Sequence, residues 1–440
     1  MTSASVEHFL SQGTAVSSHS WLQGHRDAAN RSLTNSGFPT RKMEDWKYTD
    51  VSSILEKNYT FNKSIPPEGI DSILSSARIA ELECHDLVFI NGIFSRSHSN
   101  LDALPEDVVI GSLSELITSH HDRISHFLNR ENRHEKNGFV ALNTSLIEDG
   151  AVVIIDNNVA LDKPVNLVFV STSDTDEVAQ NIRNLIVVGT HARADVIETY
   201  YGPDSTNYFT NTVTEAYLED GAGLNHYKLT EEGLDGYHVG NFFVEQKQNS
   251  SLNAYQVSIG GKLARSDLDI NLAGPNAEAT IYGLYMGEGK QHIDHHTTVN
   301  HSSPNTRSNE TYRGVLGDKA RGVFNGKIIV AKDAQKTEAH LSNANLLLSS
   351  EAEVDTKPEL EIYADDVKCS HGATIGRLDD TMLFYLRSRA IDEEIARSLL
   401  TFAFAEDVID KIHYPQIINR LQKKVIGKLP DSSLIKDFVS

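Results

Sequence analysis

Ala151-Val152-Val153-Ile154-Ile155, Val165-Asn166-Leu167-Val168-Phe169-Val170 and Leu185-Ile186-Val187-Val188 are short apolar runs separated by Asp, Asn, Pro and Ser, and they read as buried strands. Runs at Phe242–Val244 and Lys327–Val330 continue the pattern with no convincing helix between them. Turn-like clusters of small residues recur near Ala194, Ala222, Ser250, Glu278, Thr306 and Ala334, roughly 28 residues apart each time. A unit of that length holds a few short strands at about 3.3 Å per residue, which suits one coil of a β-solenoid that buries its inward face on its neighbours. An antiparallel sandwich also carries evenly spaced strands. One period persisting over about 200 residues favours the solenoid, so the chain is expected to be mainly β.

Both flanks read differently. Between about Ser5 and Arg31, Phe9, Leu10, Trp21 and Leu22 anchor a helical periodicity that Gly37, Phe38 and Pro39 break. A charged, aromatic-bearing stretch from Arg41 to Tyr48 follows, then a helix around Ser72–Ala80, then the strand Leu87–Ile90 capped by Asn91-Gly92. Near the end, Asp379 and Asp380 cap one helical segment, Asp392 opens a second that runs to Lys411, and a third follows Pro415. The expected organisation is therefore a helical region over 1–85, a strand-rich region with a β-helix core over 86–374, and a helical region over 375–440. Helices beside a solenoid can simply cap its exposed end coils. On that view truncation past Thr374 leaves the β core folded.

Of the 440 residues, 39% are hydrophobic, enough for a sizeable core and too much for a wholly disordered chain. Lys and Arg total 40 against 61 Asp and Glu, a formal charge of −21 whose field repels nucleic acid and anionic membrane. Cys84 and Cys369 are the only cysteines, which excludes a disulfide framework. The start has no cationic segment before a long apolar core, and no apolar run approaches the ~18 residues that span a bilayer, so a cytoplasmic location is expected.

Few motifs carry chemistry. Gly287-Glu288-Gly289-Lys290 is followed by Gln291 where a phosphate-binding loop needs Ser or Thr, so the chain is not expected to be an ATPase. Neither a Gly-x-Ser-x-Gly elbow nor a His-Glu-x-x-His helix is present. On a strand, His292, Asp294 and His296 project from one face and His295 from the other, and two imidazoles with a carboxylate could hold iron, zinc or manganese. Such groups on a solenoid face are more commonly solvated or bonded to each other. Cys369 and His371, at i and i+2, share one side of a strand and suit transient iron or iron–sulfur coordination, but two ligands do not complete a site. Cys84 and His85, adjacent, point apart.

Longer stretches resemble a known family. Arg321-Gly322-Val323-Phe324-Asn325-Gly326-Lys327, Asp333-Ala334-Gln335-Lys336-Thr337 and Lys357 through Thr374 are similar to the core of the SufB/SufD family of iron–sulfur cluster assembly proteins. The likeness continues through Leu383–Arg389, while Glu44–Thr49 resembles the Glu-Asn-Trp-Lys-Tyr-Thr stretch of SufD-type members, with Asp45 in place of Asn. The resemblance implies a right-handed parallel β-helix flanked by helical regions. It further implies a noncatalytic scaffold that pairs with SufB through the β-helix and binds the SufC ATPase through the C-terminal helices, with Leu383, Phe384, Leu386, Arg387 and Arg389 as docking candidates. His371, with Cys369 behind it, becomes the candidate for the cluster interface shared with SufB. No stably bound cofactor is implied: a cluster or iron passes transiently, and the resemblance leaves open both flavin and homodimer formation in isolation. The competing reading is a metal-dependent β-helix enzyme, such as a polysaccharide lyase, built on His292, Asp294 and His296.

Overall fold

The computed structural model describes residues 2–12, 20–61, 69–101, 104–135, 137–172, 177–204 and 206–430. In chain order its strands are β1 (His85–Ile90), β2 (Ile93–Phe94), β3 (Val108–Ser112), β4 (Ala151–Ile155), β5 (Val165–Val170), β6 (Val178–Val188), β7 (Arg193–Tyr201), β8 (Tyr208–Leu218), β9 (Gly223–Glu231), β10 (Tyr237–Gln246), β11 (Ser251–Ile259), β12 (Leu263–Leu272), β13 (Glu278–Gly287), β14 (His292–His301), β15 (Arg307–Leu316), β16 (Arg321–Val330), β17 (Glu338–Leu347), β18 (Glu353–Ile362) and β19 (Lys368–Gly376). β1, β2 and the odd-numbered strands from β5 to β19 form a ten-stranded sheet, while β3 and the even-numbered strands from β4 to β18 form a nine-stranded one. Each strand pairs in parallel with the equivalent strand one coil later, as in the ladder Ser251, Glu278, Arg307, Glu338, Lys368. That parallel ladder makes the fold a β-solenoid and excludes the antiparallel sandwich. Among the described residues antiparallel pairing occurs only near the start, between β1 and β2, between β3 and β4 and at the bridge Asp86–Asn100.

Asparagine makes the recurring turn possible. Asn249, Asn276 and Asn305 take equivalent places in successive coils with φ of +57°, +59° and +59°, a left-handed conformation that Asn tolerates better than most side chains. The strands that these turns connect are longer than the apolar runs suggest; β8 extends over 11 residues. Thr210, Thr212 and Thr214 occupy its buried inward positions, so polar residues conceal the alternation. Inside the coils, Gly283 lies against the Tyr312 ring and Gly314 against the Tyr285 ring, where a Cβ would overlap the aromatic atoms.

The helices are α1 (Thr2–Ser11), α2 (Ser20–Ser36), α3 (Ser52–Leu55), α4 (Ile70–Ala77), α5 (Leu113–Ser119), α6 (His121–Phe127), α7 (Gly138–Ser145), α8 (Asp380–Arg387), α9 (Glu393–Ile409) and α10 (Pro415–Gly427). The periodicity read over Ser5–Arg31 belongs to two helices, α1 and α2, and residues 13–19 lie outside the described residues. Three helices, α5 to α7, fall where none was expected, and α7 is opened by Asn137, whose side chain accepts from the amides of Phe139 and Val140. The helices clad the flanks of the solenoid. Phe402, Val408, Ile417, Leu421 and Val425 of α9 and α10 pack on Tyr227, Leu229, Val257 and Leu284 of the ten-stranded sheet. On the opposite flank Phe9, Leu33, Trp46 and Phe139 pack on Phe209, Tyr237, Val239 and Leu263 of the nine-stranded sheet. Each such side chain withdraws about 1.5–3 kcal/mol of apolar surface from water. Truncation past Thr374 therefore strips a sheet face, and the expectation of an intact β core after that truncation is withdrawn. The coil of β18 and β19 stays open: both are outermost in their sheets, and β19 is exposed along nearly its whole length.

Candidate functional site

Cys369 and His371 stand at the open end. Register places them above Ala339 and Leu341 of β17, on the inward side of the last coil. Cys369 is half-buried against the main core cluster, and burial pushes its thiol up, so it sits there as a thiol. His371 is exposed because no further coil among the described residues stacks on it. Ser370 points outward and its hydroxyl lies 2.7 Å from His340 Nδ1. The inward side chains of this coil, among them Leu360, Cys369 and Ile375, continue the core columns below and end in solvent.

The docking candidates follow directly in the chain. Asp379 caps α8 by accepting from the Thr381 amide at 2.7 Å, which turns Leu383 into the protein and leaves Phe384 74% exposed, with Met382 and Tyr385 also exposed. Leu386 is half-buried, Arg387 pairs with Glu393 at 3.0 Å, and the Arg389 guanidinium lies 4.1 Å from the Tyr385 ring centre. A cavity of about 260 Å³, lined by Ile375, Leu378, Met382, Leu400 and Phe404 among others, joins this helix to the end of β19.

His292, Asp294 and His296 do share one face of β14, but Asp294 is buried there and the two imidazoles are half-buried. Asp294, 0% exposed in its side chain, accepts from Arg265 Nη1 at 2.7 Å and from Thr49 Oγ1 at 2.5 Å, both on Oδ2, and His296 Nε2 lies 3.0 Å from its Oδ1 as an ion-pair contact. With its proton on Asp294, the Thr49 hydroxyl accepts from His292 at 2.8 Å. Burial would raise the Asp294 carboxyl, yet Arg265 and His296 outweigh it and hold the group well below the usual carboxylate range. Arg265 in turn grips both carboxylate oxygens of Asp267 at 2.9 and 2.8 Å, donates to the Asp45 carbonyl, and lies 3.7 Å from the Trp46 ring centre. The Glu44–Thr49 stretch is thus latched onto the His292–His296 strand. Among the described residues no three His, Cys, Asp or Glu side chains are arranged to hold a metal ion. His295 faces inward, as its parity required, 3.0 Å from the Ser258 hydroxyl, and burial pushes its pKa down to about 3. The Cys84 thiol donates to Asp86 at 3.2 Å and is raised by burial.

Two groups of residues escaped sequence reading. Arg265 is one, because its partners lie at positions 45, 46, 267 and 294. The other is a charged cluster inside the coils: Glu198 meets His226 at 3.1 Å and Tyr200 at 2.6 Å, Glu232 meets His238 and Tyr208 at 2.8 Å, and Lys228 lies 5.4 Å from the Tyr200 ring centre. Burial brings Lys228 down to about 8. Polar residues at inward positions of β7, β9 and β10 are the signal that could have found this cluster.

Comparison with known proteins gives a consistent result. Residues 169–404 match the family model "SUF system FeS cluster assembly, SufBD core domain", and residues 6–167 match "SufBD protein N-terminal region". An iron–sulfur cluster assembly SufBD family protein of Synechocystis is 32% identical over 415 residues, covering 92% of this chain and 90% of its own. The Escherichia coli iron–sulfur cluster assembly protein SufD is 29% identical over 402 residues, covering 90% and 91%. Protein ABCI7, chloroplastic, of Arabidopsis thaliana is 30% identical over 415 residues, covering 93% and 86%.

Proposed function

The chain belongs to the SufBD family of the SUF system of iron–sulfur cluster assembly, and from that premise we propose that it is a noncatalytic scaffold subunit of the assembly complex. Its open coil pairs with the β-helix of SufB, and the exposed face of α8 docks the SufC ATPase, whose nucleotide-driven motion it receives. One observation carries this reading: the last coil leaves Cys369 and His371 at the top of core columns that no strand of the described residues covers. A partner coil stacked there would extend both sheets and bring its own side chains against His371. A single imidazole completes coordination of a nascent cluster, which is cargo here, only with thiolates or carboxylates from the partner. The lyase alternative finds no support in the geometry, since Asp294 is fully buried and committed to Arg265 and Thr49. The test is the cluster content of complexes purified anaerobically after co-expression with SufB and SufC. His371→Ala is expected to lower cluster content several-fold at unchanged subunit ratio, and Cys369→Ala to act mainly through packing. Equal content with wild-type and His371→Ala subunits would assign the cluster to the partner alone.

A further inference from the structure

We propose that a groove on the outer face of the nine-stranded sheet receives an arginine- or lysine-bearing segment of a partner protein, at a surface separate from the open coil and from α8. The groove encloses about 490 Å³. Its floor is laid in register by three strands: Asn241, Asp267 and His296 form one column, and Phe243, Asp269 and Thr298 the next. Its rim carries Asp45 on one side and Glu131 and Glu135 on the other, all exposed.

The floor and the rim differ in charge balance. On the floor, Asp267 shares the Arg265 guanidinium with Asp294, and Asp269 pairs at 3.0 Å with Arg133, whose guanidinium also lies 4.8 Å from the Phe243 ring centre. On the rim, Glu131 and Glu135 have no ion-pair partner among the described residues. A cationic group entering the groove would meet rim carboxylates that have no ion-pair partner among the described residues, and an anion would be repelled by them.

A second feature points to a ligand that also brings an acceptor. Asn241 lines the groove, is 2% exposed, and accepts from Asn137 Nδ2 at 3.1 Å, but its own amide nitrogen has no hydrogen-bond partner. A buried donor left empty is unfavourable, and a carbonyl lying over it would satisfy it. Carboxylates for a cation beside a free amide donor match a peptide, whose backbone supplies the carbonyl and whose side chain supplies the charge. A polyamine offers no acceptor for Asn241, and a nucleic acid would be repelled by the rim.

The experiment measures binding of a fluorescein-labelled acetyl-Gly-Arg-Gly-Arg-Gly-amide peptide to the full chain by anisotropy at low salt, with spermidine as competitor. Glu131→Gln combined with Glu135→Gln is expected to weaken peptide binding about five-fold or more. Glu351→Gln with Glu353→Gln, an equal charge change at exposed positions elsewhere, is expected to change it less than about two-fold. Asn241→Leu is expected to weaken the peptide about three-fold and leave spermidine unaffected. Equal losses in the two glutamate pairs would reveal nonspecific attraction to an acidic chain and overturn the proposal. Spermidine binding as tightly as the peptide would overturn it as well. Should Asn241→Leu fail to fold, the glutamate pairs decide alone, because all four side chains are exposed.

Discussion

Glu310 is the least accommodated side chain inside the coils. It lies in the column Ile281, Glu310, Leu341, His371, 0% exposed, with no hydrogen-bond partner for either carboxylate oxygen among the described residues. Burial pushes its pKa up from 4.5 to about 7, with Thr297 the opposing influence. The folded chain thus holds a proton that the unfolded chain has released between pH 4.5 and 7. Stability from this group is complete below that window and falls as pH rises through it, by on the order of 3 kcal/mol. Glu310→Gln removes the ionisation while keeping the shape. Denaturant unfolding at pH 5 and pH 8 is expected to show a loss in the wild type that is much smaller in the variant, which becomes the more stable of the two at pH 8. Parallel pH dependence of both proteins would mean that Glu310 stays charged on a hydration path of its own.

Among the elements, α8 offers the cleanest test of docking, because α9 and α10 are structural cladding and cannot be removed without exposing Tyr227, Leu229 and Val257. Phe384 is 74% exposed, so Phe384→Ser is expected to change folding stability by no more than about 0.5 kcal/mol. Its affinity for the ATPase partner, read by calorimetry, is expected to drop about ten-fold or more, as an exposed aromatic anchor would require. Unchanged affinity would move the docking surface off this helix. The sequence made these elements unequally legible. The three C-terminal helices were readable because Asp379, Asp392 and Pro415 mark their starts and the apolar residues that follow keep a helical period. Helices α5 to α7 were hidden because they are only 7, 7 and 8 residues long, too short for a period to emerge between strand-like neighbours. The solenoid period was visible through its turns, yet the strands were underestimated wherever Thr, Asn, Glu or His took inward positions. Cys369 and His371 could be placed on one side of a strand from spacing alone, but their exposure depends on the coil being last, which spacing does not encode. Pro358 carried a usable sign: within a strand, proline is tolerated at a sheet edge, and β18 is the edge of its sheet.

On the scale of the whole molecule, a solenoid must deal with two ends, and the described residues deal with one. At the start, the antiparallel additions of β2 and β3 and the nearby helices turn the sheets away from further pairing. At the other end, β18 and β19 present free edges above a plate of inward side chains, an arrangement that monomeric proteins avoid because it templates strand addition. Pro358 interrupts one position of that edge, and the formal charge of −21 discourages indiscriminate self-stacking, so the end remains open to a partner of fitting register. Ile375 lies in this plate on β19, paired with Asn345 and 52% exposed. Ile375→Glu can turn its carboxylate to solvent in the free chain, because the position is half exposed, and the free chain is expected to keep its strand signal with only a small fall in melting temperature. Stacking a partner coil over it would bury that carboxylate unpaired, and the loss is expected to reach ten-fold or more in affinity, about 1.4 kcal/mol at least. Light scattering after size exclusion of the mixed subunits reads the outcome. A variant that still forms the heterocomplex at wild-type concentrations would show that the open coil is not the pairing surface.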